Sequence, residues 1–285
     1  MTRLLSRLDF RSAGESHGPA VVAVLEGVPR GLRLDVDAID AELRRRQGGA
    51  GRGGRQAIES DRVEFLSGLR RGQTIGSPLT LVVHNRDHKI DELAEPTRPR
   101  PGHADLSGCY RYLDHDIRGT LERASARETA ARVAAGSVAR QLLAAIGTEL
   151  IGFVRSVGAA ALPDELPGEV DATQLGPLRA TRDRSLLYTL DADHDRAMMQ
   201  AVKAAGRVGD TIGGVVEVQA VGVVPGGGSH LQWHEKLDAR LAAAVMSIQA
   251  FKGVEIGAGF RAAQRPGSLV HDPIQPGAPV LRSSN

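Results

Sequence analysis

The chain has 285 residues, 41% of them hydrophobic and 25% charged, with a net charge of only +2. This is the composition of a soluble globular protein, and it argues against a nucleic-acid binder, which usually shows a strongly basic surface and stacking aromatics. Cys109 is the only cysteine, which excludes an intrachain disulfide. No apolar run is long enough to span a bilayer, and Met1-Thr2-Arg3-Leu4-Leu5-Ser6-Arg7 lacks the apolar core of a signal peptide, so the expected location is the cytoplasm.

In chain order, the run Gly14-Glu15-Ser16-His17-Gly18 comes first, immediately before the apolar stretch Val21-Val22-Ala23-Val24-Leu25. Glycines let the backbone approach a ligand closely, and histidine is the side chain best placed to exchange a proton near neutral pH. Taken alone, the pentapeptide reads most simply as a turn entering a strand at 20–27. A helix is expected over 37–47, capped by Asp35 or Asp37, with Ile39 and Leu43 on one face and Gly48-Gly49 as its stop. The basic glycine loop 44–55 follows, open to three readings: a solvated loop, a nucleic-acid contact or a clamp for a small anion. Its segment 49–54 matches the dinucleotide fingerprint in form only, because it follows a helix where that motif must follow a strand. Strands are expected at 62–67 and 78–84, then a long polar loop over 86–102.

Arg98-Pro99-Arg100-Pro101-Gly102-His103-Ala104-Asp105 sets arginines beside an imidazole and a carboxylate. His17, His103 and Cys109 do not form a zinc-ligand spacing, and no metal is expected. The clearest helix is 126–146. Ser125-Ala126-Arg127-Glu128 has the form of a capping box, Val133, Val138, Leu142 and Ile146 line an apolar face, and Ala130, Ala131, Ala134, Ala135 and Gly136 suit close packing. Flanking arginines make its start a natural anion site. Strands at 149–157 and 214–224 and helices at 194–205 and 234–248 complete the pattern. The elements interleave without the beat of a doubly wound sheet, so a mixed α+β layer fold is expected.

Several of these segments, in order, resemble the chorismate synthase family: the 14–18 turn with Glu26-Gly27-Val28-Pro29, the loop 45–53, Arg100 to Asp105, Arg123 to Thr129 with Arg132 to Gly136, Gly209 to Gly214, and Phe251 to Gly257. The resemblance runs from about residue 8 to the end. It implies an α+β fold with a helical layer sandwiched between antiparallel sheets, assembled as a homotetramer. It also implies 1,4-elimination of phosphate from 5-enolpyruvylshikimate 3-phosphate to give chorismate. Reduced FMN is required without net redox change, with NADPH as ultimate reductant and an external flavin reductase as a partner. By the family pattern Arg46, Arg52, Arg100 and Arg127 hold substrate anions, and the first two also match nucleotide-binding positions. Arg123, Ala124, Ser125, Gln249 and Ala250 contact FMN. His17 protonates the departing phosphate, His103 gives a proton to the reduced flavin, and Ser16 and Ser125 position proton transfers. Gln249 stands where the family usually has Asn. The chain reads as one domain over 1–285 lacking the family's C-terminal segment, which leaves two readings: an active lyase, and an inactive or binding-only truncated form.

Overall fold

The computed structural model describes residues 8–51 and 60–271. The chain divides into two units, Met1–Val223 and Val224–Asn285. The first opens with strands β1 (Asp9–Gly14) and β2 (Ala20–Glu26), helix α1 (Val36–Gln47), strand β3 (Glu64–Ser67), the short strands β4 (Leu69–Arg70) and β5 (Gln73–Thr74), and β6 (Leu79–His84). β1, β2, β6 and β3 form an antiparallel sheet in that order. In β2 the two-residue period sends Val21, Ala23 and Leu25 inward.

Helices α2 (Asp105–Tyr112), α3 (Arg118–Arg123) and α4 (Thr129–Ala145) follow. α1 begins where expected, with Asp35 accepting from the Ala38 amide at 3.0 Å, and Gly48 closes it with its amide on the Arg44 and Arg45 carbonyls. Ile39 and Leu43 are fully buried against α4 and the sheet. The packed seam of α4 is Ala130, Ala131, Ala134, Ala135 and Val138. The expected apolar line is corrected at its far end: Ile146 is 57% exposed and lies just past the helix. Alanine wins the seam because helix and sheet approach too closely for longer side chains. The helix start also differs. Residues 126–128 are a 3₁₀ turn, and Ser125 accepts from the Arg127 amide. The Glu128 carboxylate does not close a capping box but accepts from Ser12 Oγ and Arg132 Nε, at 2.5 and 2.7 Å.

β7 (Glu149–Val157), β8 (Ala160–Ala161), α5 (Leu175–Arg184), α6 (Ala192–Arg207) and β9 (Gly214–Val221) complete the unit. The second main sheet, β8-β7-β9, is again antiparallel. Ile151, Phe153, Leu175, Leu190 and Met198 form its core with α5 and α6. α4 touches β2 and β6 of one sheet and β7 of the other, so the fold is α+β with helices between antiparallel sheets. In the second unit the helix expected at 234–248 divides into a 3₁₀ turn, Trp233–Glu235, and α7 (Leu237–Met246). No helix among the described residues is long and apolar enough to cross a membrane.

Candidate active site

The turn between β1 and β2 requires its glycine. Gly14 holds φ at +95°, and a Cβ there would sit 2.2 Å from the Ala20 carbonyl oxygen. The turn is sewn to its surroundings through the backbone. The Ser16 amide donates to the Glu122 carbonyl at 3.1 Å, and the His17 carbonyl accepts from Lys89 and Ile90. Asn85 Nδ2 donates to the carbonyls of Glu15 and Gly18 at 3.0 and 2.6 Å. His17 is thereby fixed at the protein surface with its ring between two carboxylates. Nδ1 is 2.6 Å from Glu122 Oε2, and Nε2 is 3.6 Å from Asp87 Oδ2. The Glu122 side chain is fully buried, and its other oxygen accepts from Arg118 at 2.8 Å.

Asn85 also reaches the other way, accepting at Oδ1 from Arg127 Nε at 2.7 Å. Arg127 is buried. Its Nη1 donates to both Asp61 oxygens at 2.8 Å and its Nη2 to the His84 carbonyl at 3.2 Å. The expectation of Arg127 on a substrate anion therefore meets a guanidinium whose three nitrogens all hold acceptors of the protein itself. Arg46, at the end of α1, donates to Thr129 Oγ1 at 2.9 Å and to the Ala126 carbonyl at 3.1 Å, with Nη1 3.5 Å from Asp61. Arg123 staples β1 by donating to the carbonyls of Gly14 and Ser12. The turn bearing Ser16 and His17, together with Arg46, Arg123, Ser125 and Arg127, thus forms one hydrogen-bonded assembly. Ala124 lies within it as the residue that closes α3.

Arg100, His103 and Asp105 form a second cluster at the start of α2. His103 Nδ1 is 2.5 Å from Asp105 Oδ1, and Arg100 donates to Asp105 from its backbone amide and its Nε. α2 meets α3 closely: a Cβ on Gly108 would be 2.3 Å from Thr120. Burial disfavours the Asp105 charge, but the hydrogen bonds from Arg100 and His103 outweigh it and hold the carboxyl at a pKa of about 2. A lowered carboxyl pKa stabilises the fold above the ordinary value of 3.8, and that contribution is lost as the pH falls toward about 2. Wild type is therefore expected to be more stable than Asp105→Asn at pH 6, with the gap shrinking between pH 4 and 2. Urea unfolding at several pH values measures this, and a gap that does not change with pH would remove the ionised Asp105 from the account.

The end of α1 is clamped by Tyr188, which holds φ at +60°. Its hydroxyl donates to the Arg45 carbonyl at 2.9 Å, and its own carbonyl accepts from Val154 of β7. A Cβ on Gly48 would lie 2.4 Å from that hydroxyl, so any larger residue there must push the tyrosine aside. Arg52 lies outside the described residues. Gln249 and Ala250 belong to the second unit, where Ala250 holds a positive φ of +69°. Sequence reasoning passed over Glu122, Asp61, Asn85, Asp87 and Tyr188. Only Glu122 carried a local signal, four residues after Arg118 on a helix.

Fold and site together define an α+β enzyme in which two histidines, each paired with a carboxylate, are set among arginines. A family model described as chorismate synthase matches residues 8–285. The chorismate synthase of Geotalea daltonii is 53% identical over 279 residues, covering 93% of this chain and 69% of that protein. That of Geobacter sulfurreducens is 50% identical over 280 residues, covering 94% and 70%. A solved structure, "Crystal Structure of Chorismate Synthase", superposes with a TM-score of 0.83 at 41% identity, covering 99% of this chain and 79% of that one. The chain belongs to the chorismate synthase family and is a carbon–oxygen lyase of the shikimate pathway.

Proposed function

We infer that the protein converts 5-enolpyruvylshikimate 3-phosphate to chorismate by 1,4-elimination of phosphate, with reduced FMN as cofactor. The observation that carries this reading is His17, rigidly mounted and flanked by carboxylates, in one hydrogen-bonded assembly with three arginines. A substrate with a phosphate and two carboxylates is one that arginine forks and a protonated imidazole recognise.

Of the residues the family pattern gives to the flavin phosphate, Ser125 keeps a hydroxyl proton to donate while its Oγ accepts from the Arg127 amide; the Arg123 guanidinium already donates to the Ser12 and Gly14 carbonyls and the Ala124 amide to the Thr120 carbonyl, so these two shape the phosphate's surround at the end of α3. By the family pattern Arg123, Ala124 and Ser125 would hold FMN, which when bound in its reduced form supplies an electron-rich ring system to the elimination; Gln249 and Ala250, in the second unit, are carried over as FMN contacts by that pattern alone. The chain's own work is proton handling and anion binding. His17, cationic before reaction, keeps its Nδ1 proton on Glu122 and delivers the Nε2 proton to the bridging oxygen of the leaving phosphate. Loss of negative charge on that oxygen makes phosphate a better leaving group. His103, held at Nδ1 by Asp105, is the second proton donor. Ser16 and Ser125 orient these transfers, and Arg46, Arg52 and Arg100 bind the substrate anions. Arg127, which is paired with Asp61, belongs to the same proposed set of anion ligands. NADPH as ultimate reductant, an external flavin reductase, a homotetramer and a cytoplasmic location belong to the same reading.

The test is an anaerobic assay with chemically reduced FMN, following phosphate release and chorismate absorbance together. Product is expected only with reduced flavin, and flavin is not consumed in proportion to it. Equal turnover with oxidised FMN, or one flavin oxidised per product, would sink the cofactor assignment.

A further inference from the structure

We propose that Glu122 is a positioning residue that sets the tautomer of His17, an inference that rests on the reading of His17 as the proton donor to phosphate. The argument starts from what each partner can give. Glu122 is fully buried and faces two donors: His17 Nδ1 at 2.6 Å on one oxygen and Arg118 Nη1 at 2.8 Å on the other. A carboxylate only accepts and a guanidinium only donates, so the proton between Glu122 and His17 belongs to Nδ1. Nε2 is then the nitrogen that exchanges a proton with whatever lies outside, on the side where Asp87 stands 3.6 Å away. The backbone repeats the instruction. Ser16 donates to the carbonyl of Glu122 itself, so the residue that orients the ring also anchors the turn that carries it. The buried acceptor, the Arg118 donor on its other oxygen and the anchored turn form a mount for one ring nitrogen, as in catalytic triads where a buried acid holds a histidine in the working tautomer.

The consequence is specific to Glu122→Gln. The amide keeps one acceptor and gains a donor. Arg118 cannot accept, so it takes the amide oxygen, and the amide NH₂ is turned toward His17. Nδ1 must then accept, and the neutral ring moves its proton to Nε2. That tautomer cannot be regenerated with both nitrogens protonated while the amide occupies Nδ1, so delivery to phosphate is lost. Glu122→Asp stays acceptor-only and preserves the tautomer with a longer reach.

The experiment uses the full chain labelled with [¹⁵N]histidine, at a pH where His17 is neutral, with His17→Gln to assign its signals among nine histidines. Wild type and Glu122→Asp are expected to show Nδ1–H, and Glu122→Gln to show Nε2–H. Turnover should rank wild type, then Asp, then Gln, the last down by about a hundredfold or more in kcat with KM little changed. An Nε2–H tautomer in wild type overturns the proposal even if Glu122→Gln fails to fold. So does a Glu122→Gln protein with unchanged tautomer and kcat. A switched tautomer with normal turnover in both Glu122→Gln and His17→Ala would instead refute His17 as the acid while leaving Glu122's hold on the ring intact.

Discussion

Replacing Arg127 with alanine is expected to lower the unfolding free energy by about 3–5 kcal/mol, the usual cost of stranding one member of a buried ion pair. Asp61 is only 2% exposed and takes both its short contacts from Arg127. With Arg127 gone, the described partner left on the Asp61 carboxylate is Arg46, at 3.5 Å. The same truncation removes a donor from Asn85, which also ties down the turn bearing His17. Lys203, exposed on α6, serves as the control, and Lys203→Ala should move stability by no more than about 0.5 kcal/mol. Urea midpoints with unchanged slopes read both effects. Adding Asp61→Ala to Arg127→Ala should recover part of the loss, since the stranded charge is then removed. If Arg127 serves a substrate anion and not the frame, affinity will fall while the urea midpoint holds.

His17→Ala and His103→Ala are each expected to cut turnover by roughly a hundred- to ten-thousandfold, the range for a placed general acid. Both side chains are about one-fifth exposed and each is held by a fully buried carboxylate, so their removal should cost far more activity than stability. His194→Ala provides the contrast. That ring pairs at 2.6 Å with Asp191, the residue whose carboxylate caps α6, and its loss should touch stability modestly and turnover little. An acid must be protonated to act, so turnover should fall on the alkaline side in wild type, and that limb should vanish in the variant that lacks the acid. Circular dichroism, flavin titration and single-turnover rates on the same samples separate chemistry from folding. Normal single-turnover rates in His17→Ala would leave that residue structural.

Much of the frame was legible where periodicity and caps agree. β2, β6 and β7 are apolar runs bounded by turn residues, and α1 and α6 carry Asp caps, so their positions follow from local physics. β1 was not legible: Asp9–Gly14 is short, polar and half-exposed, and only pairing with β2 makes it a strand. α4 showed its small residues but not which of two stripes would be buried, because the choice depends on how near the sheet lies. The candidate histidines stand out by their glycine and arginine neighbours. Their carboxylate partners lie at different distances: Asp105 is two residues from His103, whereas Glu122 is 105 residues from His17. The first pair lies within a motif, while the second exists only once β1, β2 and α3 meet. Arg127 is the sharper lesson. Arginine at a helix start reads as an anion ligand, and its pairing with Asp61, 66 residues away, is visible only in the folded chain.

Tyr188 has a consequence beyond the shape of its loop. Its hydroxyl holds the end of α1 while its carbonyl is bonded to β7, so the arginine-bearing segment and the second core share one residue and one strained backbone angle. Two regions joined through such a contact are linked thermodynamically: any free energy that ordering the segment adds to the contact returns to the second sheet in equal measure. An anion captured by Arg46 would then register as slower amide exchange around residues 186–190, although no atom of the ligand touches them.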